Sequence, residues 1–475
     1  MPLLSVRSWR SGIATSLAAL RVSYTNFPGE WRDVAFWLIP PFHDVRYHGR
    51  CWEKSGLHLL DVSLTARDSQ ETSELEGRMS FRSWCRQIAP ANMGDVEKFA
   101  MAAINRRAVL TGGGALLMAA NPLTFAPFKW QTTMPADAGF VPDLDARLDK
   151  LIADKRAWGL HGIVVTRMGK LVFERYFEGE DEVWGRPLGR VTFGPDTLHD
   201  LRSVTKSILG LLYGIALDLK KVPAPDQALM AQFPDYADVA TDPRHKRLTV
   251  AHALTMTLGF DWNEDIPYQD PNNSEIQMEM ASDRLRYIFS RPFISDPGAR
   301  WIYGAAGTEL IGSLLVKGAG QSLPDFARAT LFDPLGIGPT EWSKGINGQP
   351  APASGLRMTP RDLARIGQLV LNRGQCDGRQ IVSSEWIVKS LQPYVPCDEQ
   401  RQYGYFWYSG NFQYGSPPNR PITHWLGGFG YGGQRLFAMP DLDLGVAITC
   451  GNYADERQWM PPIRVVRDVV LAGLK

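Results

Sequence analysis

The apolar positions of this chain change rhythm several times, and each change predicts an element. Within residues 199–216, the stretch that follows Ser203 carries apolar side chains on almost every face, as in Ile208-Leu-Gly-Leu-Leu-Tyr-Gly-Ile-Ala216. Such a run predicts a helix buried on nearly all sides, and Asp200 and Ser203 just ahead of it are both residues that cap helix N-termini. Residues 161–178 show two β-rich runs on either side of Met168-Gly169-Lys170, which predicts an antiparallel hairpin. Gln434–Met439 and Leu444–Cys450, parted by Pro440-Asp-Leu-Asp443, predict a second one. Helical patterns run over 248–259, ended by Gly259, over 308–316, over 359–371 with Pro360 in the first turn, and over 460–473. Residues 261–273 are polar and aromatic with two prolines, so they predict a loop at a cleft. Strands at both ends with helices between them predict an α+β fold over residues 135–475. One antiparallel sheet is assembled from both ends of that region, flanked by helices, with a mainly helical insertion.

Residues 1–100 mix Trp, Arg, Ser and Pro without a sustained period and predict no defined domain. Residues 101–126 differ. They join Arg106-Arg107, a short apolar stretch and Thr124-Phe-Ala126, the three-part pattern of a twin-arginine export signal. The apolar stretch is too short to span a bilayer. This reading makes the protein exported and periplasmic, with Met101 as the biological start and residues 1–100 translated from a misplaced upstream start. The alternative is a cytoplasmic protein in which the segment is a buried or disordered arm.

Composition removes some classes of function. With 51 basic and 50 acidic residues among 475, and no Lys/Arg-rich run, nothing recruits nucleic acid or an anionic membrane. The five cysteines show no Cys-x-x-Cys spacing and no neighbouring histidine pair, so neither a zinc site nor a disulfide framework is indicated. A Cys376–Cys397 bridge stays open if the protein is exported.

The chemistry concentrates at the start of the apolar helix. Residues three apart share a helix face, so the Ser203 hydroxyl and the Lys206 amine meet within one turn. A serine hydroxyl becomes a good nucleophile when a neighbour takes its proton, and a lysine does so only when neutral. An apolar surround and the positive end of the helix dipole both push Lys206 that way, and the same helix terminus aims backbone amides at an oxyanion. The plain alternative is that Ser203 caps the helix and Lys206 reaches water.

Two further stretches fit the chemical reading. Asp296-Pro-Gly-Ala-Arg-Trp-Ile-Tyr303 delivers a phenol that an ammonium would hold partly ionised and that could pass a proton to a leaving group. His424-Trp-Leu-Gly-Gly-Phe-Gly-Tyr-Gly-Gly-Gln434 is glycine-rich just before a strand, where backbone can come close to a ligand and offer a second oxyanion donor. Taken singly, Tyr303 is equally a packed aromatic, and the glycines equally a flexible turn.

In this order and spacing, the three pieces resemble the β-lactamase-related serine hydrolases, which include class C β-lactamases, D-alanyl-D-alanine peptidases, serine esterases and 6-aminohexanoate-dimer hydrolases. The likeness covers residues 140–472 and extends to Leu254-Thr-Met-Thr-Leu-Gly259 and Ala353-Ser-Gly-Leu-Arg-Met-Thr-Pro-Arg-Asp-Leu-Ala364. It implies Ser203 as the acylated nucleophile, Lys206 as its base and Tyr303 as the proton relay. Two departures narrow it. Ala305 stands where many relatives have an asparagine two residues after the tyrosine, and a lysine-threonine-glycine strand motif is missing. Gly430-Tyr-Gly-Gly433-Gln434 and Asp261-Trp262 resemble the esterase and dimer-hydrolase branch.

The function expected is therefore a serine hydrolase that cleaves a small ester or amide through an acyl-enzyme, with no metal and no cofactor. The amides of Ser203 and of Phe429 or Gly430 form the oxyanion hole, and Trp262, Tyr268, His424 and Trp425 line the substrate cleft. The alternatives are β-lactamase or D-alanyl-D-alanine peptidase activity on a lactam or peptide, and a non-catalytic penicillin-recognising sensor or binding protein.

Overall fold

The computed structural model describes residues 128–415 and 420–475, together with the backbone of six strands within the first hundred residues. Residues 1–120 and 121–475 are separate units. In the first, Ala18–Asn26 lies between Val6–Ser8 and Glu30–Leu38, and Leu57–Arg67 lies between Asp44–Lys54 and Gly77–Ser80, giving two antiparallel three-stranded sheets. Leu20-Arg-Val-Ser-Tyr-Thr25 and Leu60-Asp-Val-Ser-Leu-Thr65 alternate apolar with polar residues at the period of a strand. That local signal is short and is lost among the irregular stretches between. The twin-arginine-like segment, residues 101–126, lies outside the described residues.

The second unit is built on an eight-stranded antiparallel sheet. Helix α1 (Leu144–Ala153) leads into strand β1 (Leu160–Arg167), which turns through left-handed Met168 and Gly169 into β2 (Lys170–Tyr176). A side hairpin of β3 (Glu178–Val183) and β4 (Arg186–Thr192) and a two-residue strand β5 (His199–Asp200) precede helix α2 (Val204–Asp218). Helix α3 (Ala306–Ala319), strand β6 (Leu356–Met358) and helix α4 (Pro360–Leu371) follow. The chain then returns to the sheet through β7 (Tyr408–Gln413), β8 (Ile422–Gly430), β9 (Gln434–Met439) and β10 (Leu444–Cys450). β10 closes on β1 with Leu444 opposite Arg167 and Ile448 opposite Ile163, so the two ends of the unit share one sheet. Every residue of β10 is buried, which is why this strand is apolar apart from Thr449 instead of alternating.

Two predicted helices change. The one expected over 248–259 is cut to Val250–Leu254, because the backbone turns left-handed at Met256 (φ +58°) and Gly259 (φ +86°). The one over 460–473 is continuous but irregular, with a π-helical stretch at Val465–Val470. Cys376, Cys397 and Cys450 are free thiols, so the bridge left open between the first two is not formed. Among the described residues, no helix is long and apolar enough to cross a membrane.

Helix α2 is the axis of the unit, buried from Val204 to Ala216 and packed against α3 and β8. Its two interior glycines are places of contact. A Cβ on Gly214 would lie 2.0 Å from the Trp386 ring, whose Nε1–H donates to the Gly210 carbonyl at 2.9 Å. Gly214→Ala is therefore expected to lower stability by about 1–3 kcal/mol through overpacking, although alanine gains roughly 1 kcal/mol over glycine in a helix. Urea unfolding checks this, and a midpoint at or above that of the unmodified chain would show that the indole moves aside freely.

Candidate active site

The sequence offers Asp200 and Ser203 as caps for α2, and the structure uses neither. Ser203 has a near-helical backbone (φ −68°, ψ −5°) and its side chain makes no capping bond. The first-turn amides of Val204, Thr205 and Lys206 bond instead to the carbonyls of Leu201, Arg202 and Ser203 at 3.1, 2.9 and 3.1 Å. These three amides are thus not available to an oxyanion, while the Ser203 N–H has no protein partner among the described residues. The tight start follows from Arg202, a non-glycine residue at φ +49°, a conformation that costs on the order of 1–3 kcal/mol and persists only when its surroundings fix it.

Charge supplies that fixing. The Arg202 guanidinium pairs with Glu182, lies 3.4 Å from Asp200 and stacks over Tyr453 with 5.2 Å to the ring centroid. Asp200, the other expected cap, pairs with Arg357 at 2.8 Å and accepts the Trp184 N–H at 2.6 Å. Burial raises the Asp200 carboxyl, and Arg202 pulls it back. Behind the pair, β5 and β6 align His199 with Met358 and Asp200 with Arg357.

With its hydroxyl free of the helix cap, Ser203 Oγ receives a hydrogen bond from Lys206 Nζ at 3.1 Å. Nζ also donates to the Ala353 carbonyl at 3.2 Å and lies 5.1 Å from the centre of the Tyr303 ring. The phenol of Tyr303 lies on the same side, close enough for Ser203 to act on its ionisation. The three residues singled out in the sequence thus meet at one hydroxyl.

The electrostatics differ from expectation. Lys206 does not sit in a purely apolar surround, because Glu264 and Glu275 are close enough to interact with the site. Glu264 Oε1 accepts the Trp262 indole N–H at 2.7 Å and the Ala305 amide at 2.6 Å, while Oε2 is buried without a partner. Burial and then the Glu275 charge push the Glu264 carboxyl up to about 8, with Lys206 opposing them. Tyr303 is likewise raised, by burial first and Glu264 next, with Ser203 acting the other way. The phenol is therefore neutral, and the expectation of a partly ionised one is corrected: a nearby ammonium does not outweigh desolvation and two carboxyls.

Glu264 and Glu275 were not singled out in the sequence. The available signal was the position of Glu264, an acid two residues after Trp262 in the loop expected at the cleft. Trp262 itself is buried and its indole is committed to Glu264. Tyr268 is half-buried, set edge-on to Tyr431 at 5.0 Å, with its phenol raised well above the usual value by burial and by Glu275 and Glu264.

Strand β8 delivers its glycine end to the same place. A Cβ on Gly430 would lie 2.4 Å from the Leu201 carbonyl oxygen, and one on Gly428 would lie 2.8 Å from Ser207 Oγ. The glycines let the strand approach the start of α2, where ligand approach was expected as the reason. Phe429 stacks on Tyr408 at 4.7 Å, beneath the Arg435 guanidinium at 4.8 Å. The other end of β8 leaves the site. His424 is exposed and its N–H donates to Asp441 in the β9–β10 connection. It stands six residues from Gly430, about 20 Å at the rise of a strand, so its assignment to the cleft is corrected. Trp425 is buried among Phe412, Phe429 and Phe437 at 5.5 Å each, and packs where a cleft residue was expected.

Comparison with known proteins bears on the family and the fold. The chain is 25% identical over 348 residues to 6-aminohexanoate-dimer hydrolase of Paenarthrobacter ureafaciens, covering 67% of this chain and 78% of that one. It is 24% identical over 166 residues to lovastatin esterase of Penicillium rubens, covering 33% and 40%. Among solved structures, it shares the fold of EstCE1, a hydrolase with promiscuous acyltransferase activity (TM-score 0.52, 16% identity, 70% of this chain and 99% of that one). It also shares that of a penicillin-binding protein homologue from Caulobacter crescentus (TM-score 0.51, 19% identity, 70% and 99%). The family model described as Beta-lactamase matches residues 144–458, which run from the first residue of α1 past the end of the sheet, and the chain accordingly belongs to the Beta-lactamase family.

Proposed function

We propose that this Beta-lactamase-family hydrolase cleaves a small ester or amide through an acyl-enzyme on Ser203. The observation that carries the reading is the meeting of Lys206 Nζ and the Tyr303 phenol at Ser203 Oγ. Lys206, as the free amine, takes the hydroxyl proton while Oγ bonds to the substrate carbonyl carbon. The negative charge moves to the carbonyl oxygen, where the Ser203 N–H and an amide at Phe429 or Gly430 receive it. The tetrahedral species collapses by breaking the bond to the leaving oxygen or nitrogen, and the proton reaches that atom from Lys206 through the neutral Tyr303 phenol. Water then attacks the acyl carbon, gives its proton back along the same path, and frees Ser203.

Ester and amide substrates are favoured over β-lactams because no lysine stands on β8 beside the pair: the residues there are Gly428, Phe429 and Gly430. The names of the two relatives, one an amide dimer hydrolase and one an esterase, support the same choice. Tyr268 is the residue of the 261–273 loop best placed to meet a bound substrate, since Trp262 is committed to Glu264. Export by the twin-arginine-like segment is part of the proposal, supported by Arg106-Arg107 and the small residues at Thr124 and Ala126.

Ser203→Ala and Lys206→Ala are each expected to lower kcat/KM on a short-chain nitrophenyl ester by a factor on the order of 10⁴ or more, because the two act as a unit. Tyr303→Phe is expected to lower kcat by roughly 10²–10⁴ with little change in KM. Steady-state kinetics, with intact mass after fluorophosphonate treatment, read both. Undiminished turnover in either of the first two variants removes the proposal, and faster cleavage of a chromogenic cephalosporin than of the ester redirects it to lactams.

The mechanism also asks that no fixed negative charge face the oxyanion, which a protonated Glu264 satisfies. Its carboxyl is near 4.5 in the unfolded chain and about 8 in the folded one. The folded protein therefore keeps a proton that the unfolded chain releases, and this group's contribution to stability falls as pH rises from about 4.5 to about 8. Glu264→Gln mimics the protonated form. Denaturant unfolding across that interval is expected to show a shallower decline for the variant, and parallel slopes would mean that Glu264 ionises normally.

A further inference from the structure

Behind the nucleophile, three strands bring together His161 of β1, Asp181 of β3 and His199 of β5. They are 1%, 4% and 0% exposed, and each offers a ligand atom within 4.8 Å of the others. His161 Nδ1 is 2.9 Å from His199 Nε2, and Asp181 Oδ1 is 3.7 Å from that same nitrogen. The tautomer of His199 follows from its other contact. Its Nδ1 lies 2.9 Å from the Asp200 carbonyl oxygen, which can only accept, so Nδ1 carries the hydrogen and Nε2 turns a lone pair toward the other two residues. This is the outer hydrogen bond that orients a metal-binding imidazole.

The carboxylate points to a missing partner. Asp181 Oδ2 is buried with none, and Oδ1 receives a long hydrogen bond from the Tyr453 hydroxyl at 3.3 Å. The backbone is shaped around the cluster as well: a Cβ on Gly179 or on Gly451 would lie 2.5 or 2.4 Å from His161 ring atoms. Phe193 stacks on the His161 ring at 4.1 Å and shields that side.

We propose that His161, Asp181 and His199 bind one divalent transition ion of the zinc type, with a fourth position for water or the Tyr453 oxygen. Zinc bonds nitrogen and carboxylate oxygen at about 2.0–2.2 Å, which places tetrahedral ligand atoms about 3.4 Å apart. The observed 2.9 and 3.7 Å from His199 Nε2 to its two partners bracket that separation, and all three ligand atoms lie within 4.8 Å of one another, so small side-chain shifts toward a common centre complete the site. Asp181 stands next to Glu182, the partner of Arg202, and His199 is four residues ahead of Ser203. The ion would tie β1 and β3 to the segment that aims the nucleophile, in a positioning role outside the chemical step. The cysteine and histidine spacing gave no sign of it, because the ligands come from three strands and include a carboxylate.

The test uses the purified full chain, stripped with a chelator and titrated with Co²⁺, then Zn²⁺. One equivalent of Co²⁺ is expected to give the visible bands of a four- or five-coordinate nitrogen-ligated ion, and one equivalent of Zn²⁺ to displace it. Asp181→Asn and His161→Gln, shown folded by near-ultraviolet circular dichroism, should weaken Co²⁺ binding at least about tenfold. Ser203→Ala should bind as the unmodified chain does, which separates this site from the hydrolase reading. If stripping unfolds the chain, recovery of the near-ultraviolet signal on adding Zn²⁺ supports the site. A folded, stripped chain that takes up no stoichiometric ion, or folded Asp181 and His161 variants that bind undiminished, overturns it.

Discussion

The constraint on which the site depends is the aim of one hydroxyl. A serine at the start of a helix ordinarily turns its oxygen inward to a first-turn amide. Here Arg202, held left-handed at φ +49°, winds the chain tightly enough that carbonyls 201–203 bond those amides. Ser203 Oγ is left for Lys206 and Tyr303. Relaxing Arg202 would return the hydroxyl to a capping role and separate it from Lys206. The ion pairs with Glu182 and Asp200, the β5–β6 pairing and the glycine end of β8 all converge on the three residues 201–203.

In the proposed mechanism, the charge around that hydroxyl matters as much as its aim. Burial keeps the Tyr303 phenol neutral, and burial together with the Glu275 charge pushes the Glu264 carboxyl well above the usual carboxylate range. A neutral phenol can donate to a leaving group, whereas a phenolate could only accept. Glu264 also accepts the Ala305 backbone N–H, which ties the loop after Trp262 to the residue that opens α3.

Much of this was legible in the residues. The hairpins at 161–178 and 434–450, the apolar helix and the Ser203–Lys206 pair lie where pattern and spacing put them, because each rests on local periodicity or on a helix face. What was hidden depends on contacts distant in sequence. Nothing local distinguishes Asp200 as an ion-pair partner of Arg357 from Asp200 as a cap. His424 and Trp425 sit on the right strand but at the wrong end of it, an error that a glycine-rich motif read as one unit invites. The neutral phenol could not be foreseen either, since its surroundings include Glu264 from the loop and Glu275 from the short helix Ser274–Glu279, both brought in by long-range packing.

The buried charges at the start of α2 make poor sense as a source of stability alone. Desolvating an ion pair costs several kcal/mol per ion, and apolar residues of similar volume often do as well. Asp200, Arg202 and Arg357 are each under 9% exposed, and they contact the backbone as well as one another. Asp200 accepts the Trp184 amide and Arg357 donates to the Leu198 carbonyl, so both ends of the β5 segment are pinned by directional bonds. Apolar packing would tolerate small rotations of this segment, and a rotation at Arg202 is what the nucleophile cannot accept. The ions are better understood as fixing one backbone conformation, with His161, Asp181 and His199 set against the same segment from the other side.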